Sequence, residues 1–133
     1  MSPAPGVHHI ALGAVDVDAV AAFYRTVCGV EEQTRHHQPD GALRSVWLCI
    51  APGAVLMVER VPHDAAARPL EPTGVVARGP FLLAFQALAG ERRADVERRL
   101  GLAGVAIDAV TEHSVYFRDP EGHRVAISAW PLP

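Results

Sequence analysis

Ser45-Val46-Trp47 recurs as Ser114-Val115-Tyr116, 69 positions later, and the segments around the two triplets follow the same order. An internal repeat restricts a chain more than composition does, because both copies must be able to adopt one supersecondary unit. In the first copy, Val7 to Leu12 has strand composition. Asp16 or Asp18 then offers a helix N-cap, and Val20, Phe23, Tyr24, Val27 and Cys28 follow at helical spacing. Gly29 stands where a left-handed C-terminal cap is wanted. Val30 to His37 reads as a polar edge strand, Pro39-Asp40-Gly41 as a turn, and Arg44 to Ile50 and Val55 to Val61 as two strands broken at Pro52-Gly53.

The second copy repeats this β-α-β-β-β order. Phe81 to Leu88 is an apolar strand, Gly90 to Leu100 a charged helix presenting Val96 and Leu100 and closed near Gly101 or Gly104, and Val105 to Val110 a short strand. Asp119-Pro120-Glu121-Gly122 has the residues of a tight turn, so Ser114 to Ser128 closes the chain as a hairpin. The 69-residue offset pairs Met57 with Ala126, and the first strands superpose with His9 on Leu82. The expectation is an α+β chain of one domain over residues 1–133. Its first module covers about 7–61, a Pro- and Gly-punctuated linker about 62–79, and the second module about 80–130.

Bulk properties exclude several classes. The 133 residues carry net charge −3, and all 12 basic residues are Arg in no run, so there is no electrostatic footprint for nucleic acid. No apolar run approaches a membrane span, and the N-terminus lacks a signal-peptide layout. Cys28 and Cys49 lie in apolar runs without metal-type spacing. The expectation is a cytoplasmic protein with reduced thiols and a small-molecule partner.

The paired modules, the His9-Ile10-Ala11-Leu12 strand followed by Asp16, Phe23-Tyr24 in the helix, and Tyr116-Phe117-Arg118-Asp119-Pro120-Glu121-Gly122-His123-Arg124 together resemble the vicinal oxygen chelate superfamily. That superfamily groups glyoxalase I, extradiol dioxygenases, fosfomycin-resistance enzymes and bleomycin-resistance proteins. Locally, Ser45 to Ile50 and Ser114 to Pro120 look most like the fosfomycin-resistance thiol transferases. The resemblance implies two curved sheets forming a cleft, commonly in a homodimer. It also implies that Trp47 and Cys49, Met57 and Glu59, Ser114 and Tyr116, and Ala126 and Ser128 line it.

Metal-dependent members hold a divalent ion at positions that correspond here to His9, Met57, Leu82 and Ala126. Of these only His9 has a suitable donor, while an open catalytic site needs about three. The expectation is therefore a metal-free cleft that binds a small apolar or aromatic molecule, with Trp47, Cys49, Met57, Leu82, Ser114, Tyr116 and Ala126 as ligand-binding candidates. The alternative is a metalloenzyme with a shifted divalent-metal site built on His9 and Glu59, which are also the candidate catalytic pair. Glu59 is either a general base or a solvent-facing strand-end residue, and His113 and His123 flank the hairpin as conceivable substitutes. Cys49 reads as a small buried hydrophobe unless a cation activates it. His8 is expected to face away from His9, and His36 and His37 to lie on a solvated edge. Arg118 and Arg124 are expected to face solvent, leaving no cationic pocket for a phosphonate.

Overall fold

The structure, a computed structural model, describes residues 6–62, 76 and 78–132. It comprises β1 (His9–Ala14), α1 (Val17–Cys28), β2 (Glu31–His37), β3 (Leu43–Ala51) and β4 (Ala54–Arg60) in one compact unit. A second compact unit contains β5 (Leu83–Gln86), α2 (Arg93–Leu102), β6 (Ile107–Val110), β7 (Ser114–Arg118) and β8 (Arg124–Ser128). Most of the expected linker, residues 63–75 and 77, lies outside the described residues.

The first sheet has the order β1-β4-β3-β2, with β1 parallel to β4 and the other pairs antiparallel. The second repeats it as β5-β8-β7-β6, with β5 parallel to β8. The register of the repeat is visible in the pairing. Met57 is opposite Trp47 and Ala11, while Ala126 is opposite Tyr116 and Ala84. The two units thus carry homologous crosses of residues, and the offsets of 69 on the hairpin strands and 73 on the first strands both hold.

Helix α1 forms where the local signals ask for it. Asp16 is the N-cap, its Oδ1 accepting the Ala19 N–H at 3.0 Å, and Gly29 closes the helix at φ 71°. A non-glycine residue there would set its Cβ against the following carbonyl at roughly 1–2 kcal/mol. The buried stripe is Val17, Val20, Ala21, Tyr24 and Val27, rotated slightly from the expected one because Phe23 and Cys28 are only half-buried. It packs on the sheet face made by Val46, Leu48, Leu56 and Val58, all fully buried. Full burial of each such side chain contributes roughly 1.5–3 kcal/mol, which anchors this face of the sheet to the helix.

In the second unit Val96 and Leu100 of α2 are buried, as are Val115, Phe117, Val125 and Ile127 on one face of its sheet. Here Gly101 is helical, and Gly104, at φ 74°, takes the left-handed position after the helix. Glu91 ties the helix entrance together, accepting the Leu88 N–H at 2.9 Å and both Nε (2.9 Å) and an Nη (3.0 Å) of Arg99. These donors hold its carboxyl below the usual range, the Arg99 hydrogen bonds being the largest cause. The closing turn is as expected: the Gly122 N–H donates to the Asp119 carbonyl at 3.0 Å, and Gly122 has φ 89°.

An ion network fastens α1 to the edge strand β2. Glu32 accepts from Arg35 Nε and Nη2 at 2.9 Å and from Arg25 Nη1 at 2.9 Å, and Arg35 Nη2 also reaches Asp18 at 2.8 Å. The Arg35 hydrogen bonds lower the Glu32 pKa from its ordinary 4.5 despite partial burial. A depressed folded-state pKa means stabilisation that is complete above the unfolded value and lost as pH falls through the folded one. Replacing Glu32→Gln is therefore expected to destabilise the protein by roughly 1 kcal/mol at pH 7, the upper end for partly screened pairs. Urea denaturation of both proteins should show that difference shrinking as pH falls below 4.5 and vanishing once pH passes the lowered folded-state value. A gap that persists at low pH would assign it to packing instead.

Candidate functional site

With α1 sealing one face of the first sheet, the strand pleat fixes what the other face can present. Register places three rows across it. Gly13, Glu59, Ser45 and His36 form one, Ala11, Met57, Trp47 and Thr34 the next, and His9, Val55, Cys49 and Glu31 the third. Ser45 is fully buried, while Trp47, Met57, Glu59 and His36 are half-buried.

Three polar atoms on this face are buried and have no hydrogen-bond partner among the described residues: His36 Nε2, Ser45 Oγ and Trp47 Nε1. They belong together, because His36 is the register partner of Ser45 and its ring leans on Trp47 at 4.8 Å between centroids, tilted by 59°. An unsatisfied buried polar group costs about 1–3 kcal/mol. Three in one patch, beside the packed indole and imidazole rings, form a site whose polar demands the described residues do not meet.

The second unit makes the contrast. At the positions equivalent to Ser45 and Glu59, Ser114 Oγ donates to Ser128 Oγ at 2.8 Å, and Ser128 Oγ accepts the Trp130 N–H at 3.1 Å. The same sheet position is self-satisfied in one unit and unpartnered in the other. Tyr116 is half-buried and Ala126 buried beside it, and Leu82 is half-buried just before β5.

Several expectations are corrected. His36 is not on a solvated edge. Counting outward from the His37 and Leu43 pair would set it opposite Arg44, but a register shift between His36 and His37 sets it opposite Ser45. His8 does not stand apart from His9: it precedes β1, so strand alternation does not apply, and the two Nδ1 atoms lie 2.9 Å apart. Cys49 is exposed rather than buried, its thiol donating to the Ala51 carbonyl at 3.4 Å. Arg118 and Arg124 do not simply face solvent. Arg118 pairs with Asp108 at 3.1 Å and donates to the Gly122 carbonyl at 3.0 Å, while Arg124 lies over the Phe81 ring at 5.7 Å.

His9 and Glu59 share a face, but the structure does not bring them together. His9 is level with Val55, four residues from Glu59, which is about 13 Å along a strand. His113 and His123 have local partners, the Trp130 ring at 4.7 Å and Asp119 Oδ2 at 2.7 Å, respectively. Asp119 also accepts the Glu121 and His123 N–H groups, at 2.9 Å and 3.0 Å, which fits its turn role. A surface recess of about 320 Å³ lies at the start of α1, between Val15 to Asp18, Leu43 and Arg60, and includes none of the candidate residues.

A glyoxalase-like domain family matches residues 9–128, nearly the whole chain. The chain belongs to that family, within the vicinal oxygen chelate superfamily. Solved relatives agree over their full lengths. A glyoxalase/dioxygenase from Nostoc punctiforme is 25% identical, with 99% of this chain and 98% of that one covered and a TM-score of 0.70. A lactoylglutathione lyase from Agrobacterium tumefaciens is 24% identical, with 98% and 100% covered and a TM-score of 0.67. The fosfomycin resistance protein FosX from Listeria monocytogenes, solved with Mn(II) and a dihydroxypropylphosphonic acid, is 20% identical, with 98% and 96% covered and a TM-score of 0.71. No curated protein matches the chain.

Members of this superfamily that use a divalent ion need a set of nitrogen and carboxylate donors, and this glyoxalase-like chain does not fit one at the corresponding positions. Leu82 and Ala126 have no donor atom, and Met57 offers only a thioether. Among the described residues, no three His, Cys, Asp or Glu side chains converge as a ligand set.

The two serines give a direct check on the open patch. Ser114→Ala removes a formed hydrogen bond and leaves Ser128 Oγ with the Trp130 N–H alone, so it is expected to destabilise the protein by about 1 kcal/mol. Ser45→Ala removes a hydroxyl that has no partner and is expected to be neutral or stabilising by up to about 1 kcal/mol. Thermal or urea denaturation should show a loss for Ser114→Ala and none for Ser45→Ala, and equal losses would mean that Ser45 is satisfied after all.

Proposed function

We propose that this glyoxalase-like protein binds a small planar molecule, without a metal ion, on the open face of the β1 to β4 sheet. The observation that carries the reading is the patch of unpartnered buried polar atoms on His36, Ser45 and Trp47. A flat ligand would cover the half-buried indole of Trp47 and the apolar Met57, and the His36 and Trp47 side chains, turning toward it, would bring the three buried groups onto its polar atoms. Stacking and hydrogen bonding then act on one molecule, and the cost of the unpartnered groups is offset on binding. Metal-free binding is supported by the donor chemistry at His9, Met57, Leu82 and Ala126. The free thiols of Cys28 and Cys49 are consistent with the cytoplasm. The homodimer common in the superfamily completes the reading, and sedimentation analysis reads it directly.

The chain has two tryptophans, so Trp130→Phe leaves one indole N–H signal, that of Trp47. In a nitrogen–proton correlation spectrum, a panel of planar aromatic amides led by 2-naphthamide should shift that signal, whereas aliphatic amides of equal polarity should not. Ser45→Ala on this background should weaken the response by about fivefold, one hydrogen bond's worth. A Trp47 signal that no aromatic amide moves at millimolar concentration would overturn the reading. Elemental analysis of protein purified without a metal-affinity tag should find far less than one divalent ion per chain. A stoichiometric ion would restore the metalloenzyme alternative.

A further inference from the structure

The charges on the same face select among planar ligands. This inference rests on the proposed binding reading and adds the chemical class of the ligand. On the open face of the first sheet, the charged side chains among the described residues are Glu59 and Glu31, both acidic. The arginines of this unit are elsewhere. Arg35 lies opposite Val46, on the helix side, and pairs there with Glu32 and Asp18. Arg25 is on α1 and pairs with Glu32. Arg60 lies opposite Ala14, with the recess at the start of α1, and Arg44 is exposed at the register shift of β3. In the second unit, Arg118 and Arg124 are engaged with Asp108, the Gly122 carbonyl and the Phe81 ring.

The polar groups have fixed roles. The Trp47 indole nitrogen can only donate, so the ligand atom beside it must be an acceptor. The Glu59 carboxylate can only accept, so the ligand group beside it must be a donor or a cation. Ser45 and His36 can do either and sit in the Glu59 row. Met57 is level with Trp47, and Glu59 is two residues further along β4, so the two demands are about 7 Å apart along the strand. That spacing matches the two ends of a fused bicyclic ring system.

We infer that the site takes a planar bicyclic aromatic molecule with a carbonyl-type acceptor at one end and an amine or other cationic donor at the other, and that it discriminates against anions such as carboxylates and phosphonates. The acceptor lies at Trp47 and the cation at Glu59, with the ring system over Met57 between them.

Three matched probes test this on the full chain by isothermal titration calorimetry: 2-naphthamide, 6-(aminomethyl)-2-naphthamide and 6-carbamoyl-2-naphthoate. The ammonium probe is expected to bind about tenfold more tightly than the neutral amide, and the carboxylate probe more weakly than either, by complementarity with an acidic row. Glu59→Gln should reduce the preference for ammonium over neutral amide to about twofold. Raising the salt concentration should shrink the preference in the wild type and have little effect in the variant. Equal binding of the three probes, or a preference that survives Glu59→Gln, overturns the inference while the aromatic site stands. Failure of all three to bind, 2-naphthamide included, overturns both. If Glu59→Gln fails to fold, Glu59→Asp, which keeps the charge and retracts it, should still weaken the ammonium probe selectively.

Discussion

Everything in the first unit depends on the apolar contact between α1 and one face of its sheet. Val46, Leu48, Leu56 and Val58 are withdrawn from water against Val17, Val20, Ala21 and Tyr24. Strands alternate with period two, so sealing one face assigns every neighbouring residue to the other. Trp47, Met57, Glu59 and Ser45 reach the open face for that reason. The ion network of Glu32, Arg35, Asp18 and Arg25 reinforces the same contact at the sheet edge. It also keeps two guanidinium groups on the helix side.

The two units share a register and differ in how they meet polar demands. In the second, Ser114 and Ser128 satisfy each other and Ala126 packs beside Tyr116 with no polar atom to satisfy. In the first, the equivalent positions are Ser45, Glu59 and Met57, and Ser45 is left without a partner. The divergence is one of substitutions on a retained scaffold, which is how a common architecture comes to host different sites. Family membership therefore fixes the scaffold, and what distinguishes this chain is the unpartnered patch of His36, Ser45 and Trp47.

Legibility differed by level. The caps at Asp16 and Gly29, the turn at Asp119 to Gly122 and the repeat offset were readable because each depends on residues close in the chain or on simple translation. His36 was not. Its place beside Ser45 and Trp47 results from a shift in the β2 to β3 register, and a shift of one residue exchanges the faces of a strand. Alternation does not extend to His8, which stands one residue before the strand begins, and Arg118 and Arg124 find Asp108 and the Phe81 ring on other segments.

The sequence by itself determined the order of the elements, their caps and turns, the doubling of the unit, and the donor atoms available at each position. These follow from local backbone preference and side-chain chemistry, which do not need a partner strand. Only the tertiary structure decided that His36, Ser45 and Trp47 form one patch, that His9 stands four residues from Glu59 in register, and that Arg25 and Arg35 are paired on the helix side. Those facts depend on hydrogen bonds and packing between segments far apart in the chain, where a single inserted residue redirects a side chain from one face to the other.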